Sequence, residues 1–240
     1  MQKVKEAFPE FEKPSIAIDT VIFRLGDVAV DSNRQVENKR LQVLLIKEHG
    51  EENWHLPGTI LRLGETPKDA INRIMDTKAH LSDIYFEQLY TVADDPMRDA
   101  RGHIISMIYI GIVTSGTNVD VCDNSRYSVK WAWVDKNIQS KTRELTLENT
   151  DKPLKTLGYD HITIINDSID RLKGKLLYSD IGFKFMRDQF TIKELENSFN
   201  VINERVIPGF RRIIKDKIEG TGIVSDGKAF RPAELFKKKG

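Results

Sequence analysis

The chain has 240 residues and a mass of 27.6 kDa, a length that suits one or two domains. It is 40% hydrophobic and 30% charged, too apolar for a disordered chain, and it lacks the run of ~20 apolar residues that a membrane helix needs. One cysteine, Cys122, excludes an internal disulfide framework and a cysteine-rich zinc site, and residues 1–14 are charged with no apolar signal core, so a reducing cytoplasm is the expected compartment.

Net charge is +1, but it is unevenly spread. From residue 177 to the end, 13 Lys and Arg face 9 Asp and Glu, a balance of +4; residues 1–176 carry −3. A basic tail on a mildly acidic front is a weak pointer to nucleic acid.

In chain order, residues 15–24 are rich in Ile and Val and read as a buried strand. Residues 26–40 are polar and predict a loop or a ragged hairpin end, and 41–47 a second strand. Residues 54–64 hold Pro57, Gly58 and Gly64 around a short apolar patch, a turn-rich segment crowded about a site. Residues 66–80 predict a helix with Thr66 as N-cap, Pro67 in its first turn, and Ala70, Ile71, Ile74 and Met75 at helical spacing. Strands are predicted over 84–91, 103–113 and 127–134. Residues 135–158 show no periodic core face, and 160–177 resume as a helix with Ile164, Ile165, Ile169 and Leu172 on one stripe.

The remainder has the spacing of three short helices, over 179–187, 191–199 and 208–218. Thr191 and Glu194 make a capping box. A hairpin over 223–236 is predicted with Asp226-Gly227 at its turn. Helix, turn, basic helix and hairpin together describe a winged helix, in which the second helix enters the major groove. Arg205, Arg211, Arg212 and Lys215 are the candidate DNA contacts, with Lys228 and Arg231 on the wing.

The segment from Leu56 to Leu81 resembles a Nudix box: Gly, five residues, Glu, seven residues, then Arg-Glu-apolar-x-Glu-Glu-x-Gly-apolar. Gly64-Glu65-Thr66 matches the turn, seven residues separate Glu65 from Arg73, and Met75 and Leu81 fill apolar slots. The departures bear on chemistry. Thr59 and His80 replace the two glycines, and Ile74, Thr77 and Lys78 replace the three glutamates. Those three positions share one helix face, where carboxylates would hold Mg²⁺ for pyrophosphate cleavage. Ile and Thr offer no carboxylate, and an ammonium repels the ion. Asp69 and Asp76 fall within a turn of Arg73 and read as its ion-pair partners. No catalytic residue, metal ligand or cofactor is therefore expected.

Residues 95–102, with Arg98 and Arg101 before an apolar strand, resemble the Arg-Asp-Pro-Arg-Gly segment of ADP-ribose-type Nudix proteins, with Ala100 where Pro is usual. The Asp160-His161 helix start resembles that subgroup as well. Either arginine would bind a phosphate or sugar, or order the loop through Asp94, Asp95 or Asp99.

Phe210-Arg211-Arg212 and the closing Arg231-Pro232-Ala233-Glu234-Leu235-Phe236 extend the resemblance to the Nudix-related transcriptional regulators, over about residues 13–236. The resemblance implies an α+β Nudix fold with a mixed sheet between helices, residues 1–175, followed by an α+β winged-helix domain, residues 176–240. It implies a non-hydrolytic sensor of a nucleotide or sugar, ADP-ribose type favoured, acting on operator DNA as a homodimer in NAD metabolism. Arg62, Glu65, Arg73, Arg98 and Arg101 are the candidate effector contacts. A Nudix hydrolase with non-standard metal ligands would leave the tail without a role. A protein–protein adaptor would leave the basic second helix unexplained.

Overall fold

The computed structural model describes residues 11–28, 38–82, 84–117, 121, 123–137, 142–225 and 232–240. Cys122, the Asp226-Gly227 turn, Lys228 and Arg231 lie outside them. Seven strands form one mixed sheet: β1 Ser15–Val28, β2 Asn38–Glu48, β3 Gly58–Ile60, β4 Tyr85–Val92, β5 Ile104–Ile112, β6 Tyr127–Lys136 and β7 Arg143–Leu147. Their order is β4-β5-β1-β2-β6-β7, with β3 pairing β1. The β1–β5 pair is parallel and the others are antiparallel.

Side-chain parity assigns the two faces. Ile18 and Ile22 of β1, with Leu44 and Ile46 of β2, turn toward helix α1, Pro67–Ile74. Val21, Phe23, Val43 and Leu45 turn the other way, onto helix α2, His161–Lys175. With both faces covered, the central strands read as nearly continuous apolar runs.

Helix α1 starts as the sequence predicts, with Thr66 accepting from the Asp69 N–H. Asp69 completes the capping box and does not pair with Arg73, contrary to expectation, because its carboxylate is drawn to the Thr66 N–H at 2.9 Å. The predicted helix continues as a wider π-helical turn, Met75–Ala79, and stops at His80, whose φ is 53°. That left-handed position is one glycine fills without strain, which accounts for the glycine of the box there.

Two other expectations are corrected. The segment 135–158 contains β7, which pairs with the end of β6 from Ala132↔Leu147 to Lys136↔Arg143. It is a five-residue edge strand in which only Leu145 is buried, so it leaves almost no periodic signal. The predicted helix over 208–218 shrinks to α4, Phe210–Ile214, and the chain turns into strand β8, Ile218–Val224. The β-branched Ile213 and Ile214 are poor helix formers, and Ile218 is drawn into the core as the first residue of the strand. Strand β8 pairs with β9, Glu234–Lys238, giving a hairpin that begins earlier than its sequence signal.

The tail is joined to the sheet through shared core. Helix α3, Ile192–Asn203, carries the predicted Thr191–Glu194 capping box and packs against β2 and α2. Phe199 meets Phe183 at 5.8 Å and Phe210 at 5.2 Å between ring centroids, and this aromatic group belongs to the same apolar cluster as Val43 and Ile169.

Candidate effector cavity and nucleic-acid interface

The site is built on the loop between β2 and α1. Thr20 of β1, fully buried, donates both its N–H (2.9 Å) and its hydroxyl (2.7 Å) to the Pro57 carbonyl. This draws Gly58 against β1, where a Cβ would stand 2.1 Å from Asp19 Oδ1. Any larger residue would have to push the Asp19 carboxylate aside.

Glu65 and Arg73 hold the rest of the loop. The Arg73 guanidinium donates to Glu65 from Nε (2.7 Å) and Nη2 (2.8 Å), and also to Thr59 Oγ1 (2.7 Å) and the Ile60 carbonyl (3.1 Å). The Arg62 N–H donates to the same carboxylate at 2.9 Å. The Arg73 fork first, and then this backbone donor, hold the Glu65 carboxyl down at about 2. Arg62, Glu65 and Arg73 thus sit together as a brace beside the cavity, outside its lining.

The three positions of the absent glutamates go separate ways. Ile74 is fully buried, and the Thr77 hydroxyl donates back to the Arg73 carbonyl at 2.6 Å. Lys78 turns into the cavity, with Nζ donating to the Gly58 carbonyl at 2.7 Å. Burial pushes its amine below the ordinary lysine range. This donor set does not fit the divalent cation of a Nudix hydrolase, and no group of three or more His, Cys, Asp or Glu among the described residues could hold a metal.

The cavity has a volume of about 300 Å³, and Asp19, Lys78, Arg98, Arg101, Tyr159 and His161 face into it. Arg98, only 9% exposed, donates to Asp160 (2.7 Å), to the Ile104 carbonyl (3.3 Å) and to the Ser106 hydroxyl. Arg101 forks onto Asp99 at 2.7 and 3.0 Å and lies 4.1 Å over the Tyr159 ring. Each arginine therefore orders its surroundings and lines the cavity as well. His161 accepts the Leu56 N–H at Nδ1 (2.8 Å), which places its proton on Nε2. Burial depresses the ring to about 4, so it is neutral near pH 7.

The candidate DNA contacts lie on the tail. Arg205, Arg211, Arg212 and Lys215 are all exposed, and none is in an ion pair among the described residues. Phe210 and Ile214 bury the opposite side of α4.

Asp19, His55, Tyr159 and the inward course of Lys78 were not apparent in the sequence. Asp19 sits in an apolar strand and Tyr159 in an aperiodic loop; only the resemblance of the Asp160-His161 pair touched this wall.

A Nudix fold with its box loop braced and its metal face replaced, continued by a winged helix, is the architecture of the Nudix-related regulators that this chain resembles. The comparisons agree with this class. The chain is 23% identical to the ADPR responsive transcriptional repressor NtrR of Acinetobacter baylyi, over 95% of this chain and 83% of that protein. It superposes on Shewanella oneidensis NrtR with a TM-score of 0.67 at 26% identity, covering 93% of this chain and 94% of the other. The same protein complexed with a 27mer DNA gives 0.63 at 25% identity, with 93% of each chain covered. A MutT/nudix family protein from Enterococcus faecalis gives 0.74 at 21% identity over 98% of this chain and 90% of that one. No family model matches. The chain is NrtR-like along nearly its whole length.

Proposed function

We propose that the protein is an effector-responsive transcriptional regulator. Residues 1–175 sense a nucleotide or sugar, ADP-ribose type favoured, without hydrolysing it, and residues 176–240 bind operator DNA. The observation that carries this reading is the fate of the box helix: the braced loop and the cavity persist, while Ile74, Thr77 and Lys78 leave no carboxylate face. The effector contacts are Arg98 and Arg101, with Arg62, Glu65 and Arg73 shaping the loop beside them. Arg205, Arg211, Arg212 and Lys215 meet DNA, joined by Lys228 and Arg231.

The protein works in the cytoplasm as a homodimer. One winged helix offers few phosphate contacts; two across a two-fold axis read half-sites about one helical turn apart. Among the described residues no helix is long and apolar enough to cross a membrane.

The test pairs two measurements. Gel shifts with DNA from upstream of the gene and its neighbours should show a salt-sensitive complex whose affinity ADP-ribose changes. Incubation with ADP-ribose and Mg²⁺ should give no chelator-sensitive turnover near the enzymatic range of about 1–10³ s⁻¹. Such turnover, or DNA binding that survives deletion of residues 178–240, would refute the reading.

A further inference from the structure

Two charged groups on the cavity wall, Lys78 and Asp19, are in contact with no opposite charge among the described residues, although each lies in the other's field and Lys78 also in that of Glu48. Arg98 is matched by Asp160, Arg101 by Asp99, His55 by Glu51, and Glu48 by Arg126 from outside. Lys78 forms no ion pair among the described residues; its ammonium spends one of three protons on the Gly58 carbonyl and has two left. Asp19, only 8% exposed, makes no hydrogen bond or ion pair among the described residues; its Oδ1 lies against Gly58 and its side chain lines the same cavity. A buried charge is costly unless something offsets it. Here one is a cation and the other an anion, each partly offset by the other across the cavity and neither closed in a contact.

The backbone explains how Lys78 reaches this point. The π-helical turn Met75–Ala79 widens the helix where the box face would begin, while Tyr127 packs 5.2 Å under the ammonium and Leu81 anchors the exit. Such turns are frequent at functional sites.

We infer that Lys78 and Asp19 form a two-point, metal-free recognition site for a phosphorylated sugar, the ammonium taking a phosphate or diphosphate oxygen and the carboxylate accepting hydroxyls of the attached sugar. Lys78 stands in for the divalent cation with a fixed charge carried by the chain itself. The two arginines contribute less to the phosphate, because Arg101 forks onto Asp99 and Arg98 spends its donors on Asp160, the Ile104 carbonyl and the Ser106 hydroxyl. This inference rests on the cavity being the effector site, and it names that site's chemical class and its two determinants.

Calorimetry on the full chain with two probes, ADP-ribose and inorganic pyrophosphate, tests it. Wild type should bind both in EDTA as tightly as in Mg²⁺. Lys78→Met keeps the stem against Tyr127 and should weaken both probes about 10–100-fold, the worth of a charge-assisted hydrogen bond. Lys78→Arg should recover part of that loss. Asp19→Asn should weaken ADP-ribose and leave pyrophosphate unchanged or tighter. Circular dichroism establishes that each variant is folded, and a variant that is not is replaced by wild-type titrations across ionic strength, in which pyrophosphate affinity must fall as salt rises.

A requirement for Mg²⁺, undiminished binding by folded Lys78→Met, equal weakening of both probes by Asp19→Asn, or binding of neither probe overturns the inference. Gel shifts run beside it separate the two readings. Lys78-dependent anion binding without any DNA complex leaves this site standing and removes the regulator. A DNA complex without Lys78-dependent anion binding does the reverse.

Discussion

Arg143 of β7 grips Glu204, the residue that ends α3, through Nε–Oε1 at 2.6 Å and Nη2–Oε2 at 3.2 Å. Both side chains are nearly buried, at 9% and 12% exposure. Lys173 of α2 adds a third bond at 2.7 Å, and Arg143 reaches on to Asp170 at 2.5 Å. Glu204 itself sits in the left-handed region at φ 56°, so its backbone is held where few side chains settle. The edge of the sheet thus fixes the residue immediately before Arg205. Burial raises the Glu204 carboxyl, but the bonds from Arg143 and Lys173 together outweigh it and hold the group below the ordinary range.

Arg143→Ala should therefore cost about 3 kcal/mol in urea unfolding, because it leaves the nearly buried Glu204 charge to Lys173 and the more distant Lys136, at 3.8 Å, without its bidentate partner. Removing an exposed pair such as Lys237–Glu219 should cost under about 1 kcal/mol. Equal effects from the two would show that the grip contributes no more than a surface contact.

A pH dependence follows from His161. Its folded value, about 4, lies below the ordinary 6.5. Between those values the unfolded chain takes up a proton that the folded chain refuses, so this contribution to stability is complete above about 6.5 and lost as pH falls toward 4. The loss is on the order of 3 kcal/mol across the window. In His161→Asn, which keeps an acceptor for the Leu56 N–H, stability should fall less steeply between pH 6.5 and 4 than in wild type. Parallel slopes for the two proteins would contradict the assignment.

Gly182 sets the distance between the sheet domain and the tail. A Cβ there would meet Phe199 Cζ at 2.5 Å and Leu176 Cδ1 at 2.8 Å. Phe199 is wedged between Phe183 and Phe210 and has no room to give. Gly182→Ala should destabilise by about 1–3 kcal/mol through overpacking. Gly174→Ala, with open space around its Cβ, should not. Chemical denaturation of both variants decides it.

What the sequence made legible was local or periodic. Thr66 and Thr191 are caps because each stands before an apolar stripe with an acidic residue three positions on, and both cap as predicted. The spacing from Glu65 to Arg73 anticipated that the box loop would fold, and the fork between them shows why it does. The candidate cavity was legible only in part. Asp19, Lys78, Arg98 and the Tyr159–His161 turn come from four segments that the β1–β5 and β1–β3 pairings and the seating of α2 bring together. Lys78 read as a lost ligand, since linear spacing does not reveal a π-helical turn. The basic helix was overdrawn because Lys215, Asp216 and Lys217 suit a helix and a turn equally, and burial of Ile218 decides between them.

The tail's cations should act on DNA unequally. Helix α4 spans little more than one turn, with Phe210 and Ile214 committed to the core, so Arg211, Arg212 and Lys215 are left on the outer side. A short helix can insert only its few outward side chains into a groove, which concentrates specificity in Arg211 and Arg212. Arg212→Ala at a base edge should cost about 1–3 kcal/mol on the cognate operator and little on random duplex. Arg205, at the end of α3, is placed for a phosphate. Arg205→Ala should weaken all sequences alike and lower the log–log salt slope by about 0.9 per copy, or about twice that in a homodimer. Lys237 is already paired with Glu219 at 3.1 Å, and Lys237→Ala should leave both quantities unchanged. Fluorescence anisotropy with operator and scrambled duplexes at two salt concentrations measures all three variants. If Arg212→Ala weakens operator and scrambled DNA by the same factor, α4 is a backbone clamp and sequence must be read elsewhere on the tail.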